Sequence, residues 1–167
     1  TFLGPEMKST GEVLGIAENL PEALYKGFTA AGYNFPLKGT VLMSIADICK
    51  GEAVDVAKEL KHLGFDLLAT EGTAKVLNNH GIKAETTDKL SRSESIYNAI
   101  KGGMVDLIIN IPTHGRIPER DGFKIRRMAV ENSIPCLTSL DTARAFIDAI
   151  KMSQKGNKSS VVCLNDI

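Results

Sequence analysis

The chain has 167 residues, of which 43% are apolar, and its formal net charge at pH 7 is zero. These values suit one domain of ordinary size with a short appendage, and they give no indication of a nucleic acid or an anionic membrane surface as a partner. No apolar run approaches the roughly 20 residues that a membrane-spanning helix needs.

The three cysteines are scattered and form no CxxC pair. They therefore indicate neither a metal site nor a disulfide framework, and they favour a reducing, cytoplasmic location. The sequence begins at Thr1, without a methionine or a signal peptide. We expect it to be a fragment of a longer protein.

The first segment, residues 1–33, has a different character from the rest of the chain. Residues 1–15 are rich in glycine, proline and polar residues. A helix follows, with Pro21 in its first turn and an apolar stripe through Tyr25 and Phe28. Gly32 is placed to end this helix, and residues 34–37 read as a linker.

From Lys38 onward, short apolar runs alternate with amphipathic stretches. Such alternation predicts a three-layer, Rossmann-like α/β domain over residues 38–167, with a parallel sheet of about five strands flanked by helices. Gly64 and Gly81 are placed to end helices. The predicted strands are residues 41–45, 65–69, 105–110 and 135–139, with 82–86 and 160–164 as weaker candidates. The predicted helices are residues 52–63, 73–80, 93–101, 119–132 and 141–151.

A phosphate site is one interpretation of the turn after the second strand. Gly72 lets the backbone approach a ligand, and Thr70 and Thr73 offer hydroxyls beside the free N–H groups of a helix N-terminus. Lys50 and Lys89 could supply positive charge. The alternative is that Thr73 is only an N-cap and that the lysines are solvated surface residues. Spacing alone leaves both interpretations open.

Two further regions could contribute to a site. The loop over residues 110–116 follows a strand and could bind a base or sugar, although an ordinary connection explains its turn residues equally well. Within it, His114 is the one plausible acid–base histidine. Arg126 and Arg127 are adjacent in a predicted helix, so only one of them can face this loop. Asp47 and Asp121 read more simply as turn or cap residues than as catalysts.

Residues 4–13, GPEMKSTGEV, resemble the segment that closes the second ATP-grasp half of carbamoyl phosphate synthetase large subunits. Residues 38–152 resemble the methylglyoxal-synthase-like domain that ends the same subunit. The resemblance rests on Leu42-Met43-Ser44, Lys50, the turn at 69–73, Lys89, Ile108-Ile109-Asn110 and Ile125-Arg126-Arg127. It implies that residues 1–33 are a remnant of the ATP-grasp half and that residues 38–167 are an allosteric domain.

The resemblance also implies a site. Its phosphate pocket would comprise Lys50, Thr70, Thr73 and Lys89. Its base and ribose region would comprise Ser44, Asn110, Thr113, Arg116, Asp121 and Ile125, with Lys124 beside it. Thr138 matches a position that lies near bound ornithine in the family. The implied effector is UMP or IMP, and ornithine is a second candidate ligand.

The implied partners are the rest of the large subunit and the small glutaminase subunit, and a homo-oligomer is a further possibility. ATP, Mg and K would serve the full ligase in pyrimidine and arginine biosynthesis. The fragment itself would hold no cofactor and catalyse no reaction.

Departures from the family pattern leave alternatives. The loop after Asn110 is one residue longer than in some bacterial members, and Cys136 replaces a tyrosine near ornithine. N-acetylglutamate is a less favoured effector because the chain has no tryptophan. A methylglyoxal-synthase-type lyase would need an aspartate in a GGDQ loop, where this chain has Ser91-Arg92-Ser93-Glu94. A domain used only for protein association is the third hypothesis.

Overall fold

The computed structural model describes residues 11–33, 36–87, 92–112 and 121–154, with the side chains of residues 92–95 and 121 excepted. The predicted strand at 160–164 and the first part of the GPEMKSTGEV motif lie outside these residues. The elements in chain order are α1 (Leu20–Ala30), β1 (Gly39–Ile45), a 3-10 turn (Asp47–Cys49), α2 (Lys50–His62), β2 (Phe65–Ala69), α3 (Glu71–Asn79), β3 (Glu85–Thr86), α4 (Arg92–Lys101), β4 (Leu107–Ile111), α5 (Asp121–Glu131), β5 (Cys136–Leu137) and α6 (Leu140–Gln154).

The five strands form one parallel sheet in the order β3-β2-β1-β4-β5. Strand β1 lies at the centre, and Val41, Leu42 and Met43 are fully buried in it. A strand covered on both faces needs apolar residues at consecutive positions, because successive side chains point to opposite faces. The run Leu107–Ile111 in β4 is buried throughout for the same reason.

Helices cover both faces of the sheet. Val41 and Met43 point into the larger of two apolar clusters, which also contains residues of α2, α3 and α6. Leu42 points the other way, into a smaller cluster with Ile100 of α4 and Ile125 of α5. This alternation along β1 divides the core into two layers, and it confirms the predicted three-layer α/β architecture.

Helix α1 packs on the outer side of this domain, against α6. Asn19 caps its N-terminus, with Oδ1 accepting a 3.0 Å hydrogen bond from the N–H of Glu22. The Phe28 ring meets that of Phe146 edge-on, with the ring centroids 5.5 Å apart. The helix predicted around Pro21 is confirmed, whereas the domain boundary at residues 34–37 stays a prediction.

The element bounds differ from the predictions most in the edge strands, because β3 and β5 span two residues each instead of the five predicted, and by one or two residues at helix starts. Helix α2 begins at Lys50 rather than residue 52, because the 3-10 turn before it already brings the chain into a helical path. Helix α3 begins at Glu71, two residues before the predicted start. The ends of α2 and α3 were predicted more closely than their starts. Gly64 has a φ of 91° and Gly81 a φ of 75°, values that favour glycine after a helix.

Candidate functional site

The region outside the carboxyl ends of β1 and β4, here called the crevice, lies where the strand order reverses. The chain runs outward from β1 through β2 to β3, then crosses to β4 on the other side of β1 and continues to β5. Ser44 of β1 and Asn110 of β4 are register partners at this reversal. Open parallel sheets bind ligands outside the carboxyl ends of the strands at such a point. Both residues thus lie where this type of fold builds a ligand site.

A pair of threonine hydroxyls connects α3 to the end of β1. Thr73 is 1% exposed, and its Oγ1 accepts hydrogen bonds from the backbone N–H of Ile45 at 3.2 Å and from the Thr70 hydroxyl at 3.1 Å. The alternative that Thr73 is an N-cap is wrong, because Thr70 occupies that position. The Thr70 side chain bonds to Thr73 and caps no helix N–H, so the first turn of α3 has no side-chain cap.

The ammonium group of Lys50 lies against the first turn of α3. A Cβ atom at position 72 would be 2.7 Å from Lys50 Nζ, so the close approach depends on Gly72. The Lys50 side chain is 17% exposed, and its Nζ donates a 2.5 Å hydrogen bond to Asp47 Oδ1, whose side chain is 88% exposed. Lys50 is therefore not a solvated surface lysine. Its charge adds to the positive end of the α3 dipole, and the two together favour an anion.

Asp47 is the group that neutralises Lys50 in this structure. The hydrogen bond from Lys50 and its positive charge lower the pKa of the Asp47 carboxyl below its usual value. Because this carboxylate is highly exposed, an incoming anion could replace it without opening the core.

The β4 side of the crevice holds a buried amide and a buried guanidinium nitrogen. Asn110 is 1% exposed, and its Nδ2 donates a 2.7 Å hydrogen bond to the Gly122 carbonyl oxygen in α5. A Cβ atom at position 122 would lie 3.3 Å from Asn110 Oδ1 and 3.6 Å from Arg126 Nη1. The two side chains therefore meet over the first turn of α5. Arg126 Nη1 is buried and has no hydrogen-bond partner within the part of the chain that the structure describes.

The neighbouring Arg127 has the opposite environment. It is exposed, and its Nε donates a 2.8 Å hydrogen bond to Glu131 Oε1 in an ion pair one helical turn away. Of the two arginines, Arg126 is the one that approaches Asn110, the first residue of the predicted loop, whereas most of that loop lies outside the described residues. Arg126 also lies near Cys136 in β5, where burial raises the pKa of the thiol and the positive charge of Arg126 partly offsets this effect.

Comparison with protein-family models matches residues 52–138 to the MGS-like domain. The chain belongs to the MGS-like domain family. The matched range contains Thr70, Thr73, Asn110 and Arg126, and it begins two residues after Lys50.

A curated relative contains a region that is similar to nearly the whole of this chain. The chain is 47% identical over 167 residues to a protein described as "Carbamoyl phosphate synthase large chain, C-terminal section" from Methanopyrus kandleri. The match covers 99% of this chain and 30% of that protein. The chain thus spans less than a third of the length of this relative.

Two solved structures share the fold of this MGS-like domain at 18% identity. Methylglyoxal synthase from Elizabethkingia anophelis NUHP1 aligns with a TM-score of 0.55 over 68% of this chain and 79% of that chain. The structure of ForH aligns with a TM-score of 0.50 over 76% of this chain and 85% of that chain. At this level of identity the likeness shows the fold alone.

The structure brings five of the predicted effector residues of the MGS-like domain to the carboxyl ends of β1, β2 and β4: Ser44, Lys50, Thr70, Thr73 and Asn110. Ile125 is buried in the smaller apolar cluster, so its side chain serves mainly the core. Lys124 is exposed on α5. Thr138 is exposed between β5 and α6, next to Ser139, whose Oγ caps α6 through the N–H of Thr142.

Several predicted residues lie outside the described part of the MGS-like domain. They are Lys89, Thr113, His114, Arg116 and the side chain of Asp121. Their placement in the site stays a prediction. Among the described residues, no group of histidine, cysteine, aspartate or glutamate side chains could hold a metal ion, and no helix is long and apolar enough to cross a membrane.

Sequence reasoning did not identify two features of this site. The contact between Lys50 and Gly72 depends on how α2 and α3 lie against each other, which no local pattern reveals. The inward direction of Arg126 had a partial signal, because Ile125 and Ala129 are apolar while Glu131 can pair with Arg127 four residues earlier.

Proposed function

We propose that this MGS-like domain is the allosteric regulatory domain of a carbamoyl phosphate synthase large chain and that it binds a phosphate-bearing effector such as UMP or IMP. The curated relative supports the assignment to a carbamoyl phosphate synthase large chain, since its similarity extends over 99% of this chain. The polar side chains at the carboxyl ends of β1 and β4 support the proposal of an effector site there.

One observation carries the phosphate assignment: Lys50 lies against Gly72 at the N-terminus of α3, beside the hydroxyl of Thr70. A cation, a hydroxyl and uncapped N–H groups thereby surround one small region. Phosphate needs such donors on several sides, and a helix N-terminus is a recurrent place to find them. Lys89 would add a second cation if it takes the position that the family resemblance implies.

The wider role follows from the same proposal. The full protein would be a glutamine-hydrolysing ligase that uses ATP, Mg and K to make carbamoyl phosphate for pyrimidine and arginine biosynthesis in the cytoplasm. The rest of the large chain and a small glutaminase subunit would be its partners, and ornithine would bind near Thr138. The domain itself would bind without catalysis.

Regulation would act through a shift in population. An effector changes the activity of a distant centre only if it binds one arrangement of the protein more tightly than another. Asp47 offers one such difference, because an effector phosphate would take Lys50 away from this carboxylate.

Calorimetric titration of the chain with UMP, IMP and inorganic phosphate tests the proposal. We expect Lys50→Ala to weaken the binding of all three ligands, because it removes the positive charge beside the N-terminus of α3. Lys58→Ala is the matched control, since Lys58 lies on the same helix, is half exposed and pairs only with Asp55 among the described residues, at 3.8 Å. In the full enzyme, Lys50→Ala is expected to blunt the nucleotide response and to leave the unregulated activity nearly unchanged.

Three outcomes would contradict the proposal. Failure of the wild-type chain to bind UMP, IMP and phosphate would favour a domain used only for protein association. Methylglyoxal formation from dihydroxyacetone phosphate would favour a lyase. Equal loss of regulated and unregulated activity on Lys50→Ala would show that Lys50 is structural.

A further inference from the structure

The segment before α1, residues 12–18, lies against the backbone of that helix, and we call it the strap. A Cβ atom at Gly15 would overlap the Ala23 carbonyl oxygen and would lie 2.8 Å from the Gly27 nitrogen. Both atoms belong to the helix backbone, which cannot give way as the end of a flexible side chain does. Gly15 is not among the glycines with positive φ, so this position needs glycine for close approach rather than for a turn.

A partly buried lysine also ties the strap to α1. Lys26 Nζ donates a 2.7 Å hydrogen bond to the Ile16 carbonyl oxygen, and it forms an ion pair with Glu22 Oε1 at 3.2 Å. The two side chains are 21% and 12% exposed, so this ion pair is screened less than one on the open surface. The strap and α1 therefore form one packed unit.

A different side of α1 joins this unit to the α/β domain. The Phe28 ring meets the Phe146 ring of α6 edge-on, and Tyr33 meets Phe28 with the ring centroids 5.6 Å apart. Phe146 is fully buried in the larger apolar cluster. Helix α1 thus lies in contact with both the strap and the core of the domain.

Helix α6 is joined in turn to α2, the helix that begins at Lys50. Arg144 Nη2 lies 3.6 Å from Glu52 Oε2, and Lys151 Nζ lies 2.8 Å from Glu59 Oε2. Such partly exposed ion pairs add little stability by themselves, but apolar residues of both helices also share the larger cluster. Packed contacts therefore run from the helix of Lys50 through α6 and α1 to the strap.

We propose that the strap and α1 move as one body with the MGS-like domain and connect effector binding to the rest of the large chain. This inference rests on the proposed effector function and names the contact through which the regulation leaves the domain. An effector that favours one arrangement of α2 and α6 then shifts the strap, and with it the polypeptide that the strap continues. The part of the chain that acts with the α/β domain begins near residue 12 rather than at residue 38.

Gly15→Ala tests the contact, because the added methyl group forces the strap away from α1. Gly27→Ala is the matched control on the other side of the same contact. Its Cβ would lie 3.9 Å from the Gly15 nitrogen, an ordinary distance, and alanine suits the helix better than glycine. In the 167-residue chain, we expect faster hydrogen exchange over α1 in Gly15→Ala but not in Gly27→Ala. Calorimetry is expected to give a UMP affinity within about twofold of the wild type for both variants, since neither substitution touches the crevice.

The decisive measurement is made in the full enzyme. It is the factor by which saturating UMP changes the activity of each variant, relative to the activity of that variant without UMP. Gly15→Ala is expected to reduce this factor roughly twofold or more, the range for substitutions along a coupling path, and Gly27→Ala to preserve it. Phe28→Leu keeps an apolar side chain but loosens the contact with Phe146, so it should reduce the factor as well. It decides the question if Gly15→Ala does not fold.

The outcomes distinguish this inference from the proposed function. If the wild type bound no UMP or the full enzyme did not respond to it, the effector proposal would fail and the inference with it. If the wild type responded and both Gly15→Ala and Phe28→Leu responded equally well, only the connection through the strap would be excluded. Unchanged hydrogen exchange in Gly15→Ala, or a loss of UMP affinity of about tenfold or more in the 167-residue chain, would also overturn the inference. In the first case the strap would not be held by α1, and in the second the substitution would damage the domain itself.

Discussion

The Thr73 hydroxyl accepts a 3.2 Å hydrogen bond from the backbone N–H of Ile45, which lies 28 residues earlier in the chain. Ile45 ends β1 and Thr73 lies in the first turn of α3, so one buried bond fixes the helix against the central strand. The proposed phosphate region is therefore built on a fixed base, and Thr73 has a structural role whether or not it also contacts a ligand.

Replacing this hydroxyl is expected to destabilise the fold. Thr73→Val keeps the shape of the side chain but leaves the buried N–H of Ile45 without its acceptor. The expected loss is about 1–3 kcal/mol in the free energy of unfolding, the cost of an unsatisfied buried donor. Urea denaturation measures it, with Thr138→Val at an exposed position as the control. An unchanged midpoint would show that the bond contributes nothing to stability.

A methyl group at position 72 is expected to weaken ligand binding without lowering the stability of the fold. The Cβ of Gly72→Ala would fall 2.7 Å from Lys50 Nζ, and the flexible end of the lysine can move away at low cost. Helix propensity then favours alanine by up to about 1 kcal/mol, so stability should hold or rise. Phosphate and UMP affinity should fall, because the ammonium group is displaced.

Gly51→Ala provides the matched control for this substitution. It also introduces a methyl group into the first turn of a helix, and a Cβ there has no atom within 4 Å. Calorimetry and thermal unfolding on both variants complete the comparison. Equal affinity of Gly72→Ala and the wild type would show that the position of Lys50 does not matter for binding.

Asp47 is expected to compete with the effector for Lys50. Asp47→Asn removes the carboxylate that accepts the Lys50 hydrogen bond, so the affinity for phosphate near neutral pH should rise, as calorimetry can measure. Weaker binding by Asp47→Asn would show instead that Asp47 holds Lys50 in place for the ligand.

The contact between Asp47 and Lys50 also predicts how the stability of the fold depends on pH. Lys50 lowers the pKa of Asp47 below its usual value of 3.8, so the stabilising contact is present above pH 3.8 and disappears as the pH falls through the lowered pKa. The stability difference between the wild type and Asp47→Asn should therefore be constant near neutral pH and vanish in strong acid. Denaturation curves at neutral pH and in strong acid measure it.

The packing of α1 on α6 gives a further prediction. Phe28→Ala removes a partly buried ring that meets Phe146 edge-on, and it is expected to cost about 1–3 kcal/mol, less than the roughly 3–5 kcal/mol for a fully buried phenylalanine. Leu20→Ala, at an exposed position of the same helix, should have little effect. No loss of stability in Phe28→Ala would show that residues 1–33 are energetically independent of the α/β domain.

The sequence predicted those parts of the fold that depend on local patterns. Consecutive apolar residues such as Ile108 and Ile109 identify a strand that is buried on both faces, and Gly64 has a conformation that ends a helix. The edge strand β3 was less predictable, because only two residues pair and both are exposed. The start of α2 was misjudged, because no cap residue marks it and the 3-10 turn leads directly into the helix.

The candidate site was predictable only in part. Strand ends meet at one edge of a parallel sheet, so Ser44 and Asn110 could be placed near each other from the order of the elements alone. The contact of Lys50 with Gly72 joins two helices whose packing depends on the whole core. The direction of Arg126 depends on the rotation of α5, which the sequence restricts to two choices without deciding between them.

The strands at both margins of the described sheet, Glu85–Thr86 and Cys136–Leu137, are only two residues long. A strand this short exposes too few backbone donors and acceptors for another polypeptide to extend the sheet. Amyloid-like association through the margins is thus disfavoured, even though the central strands are almost wholly apolar. Contacts of the described part of the domain with another polypeptide are then expected to involve side chains of the helices more than the backbone of these strands, and such contacts can break and re-form without disturbing the sheet.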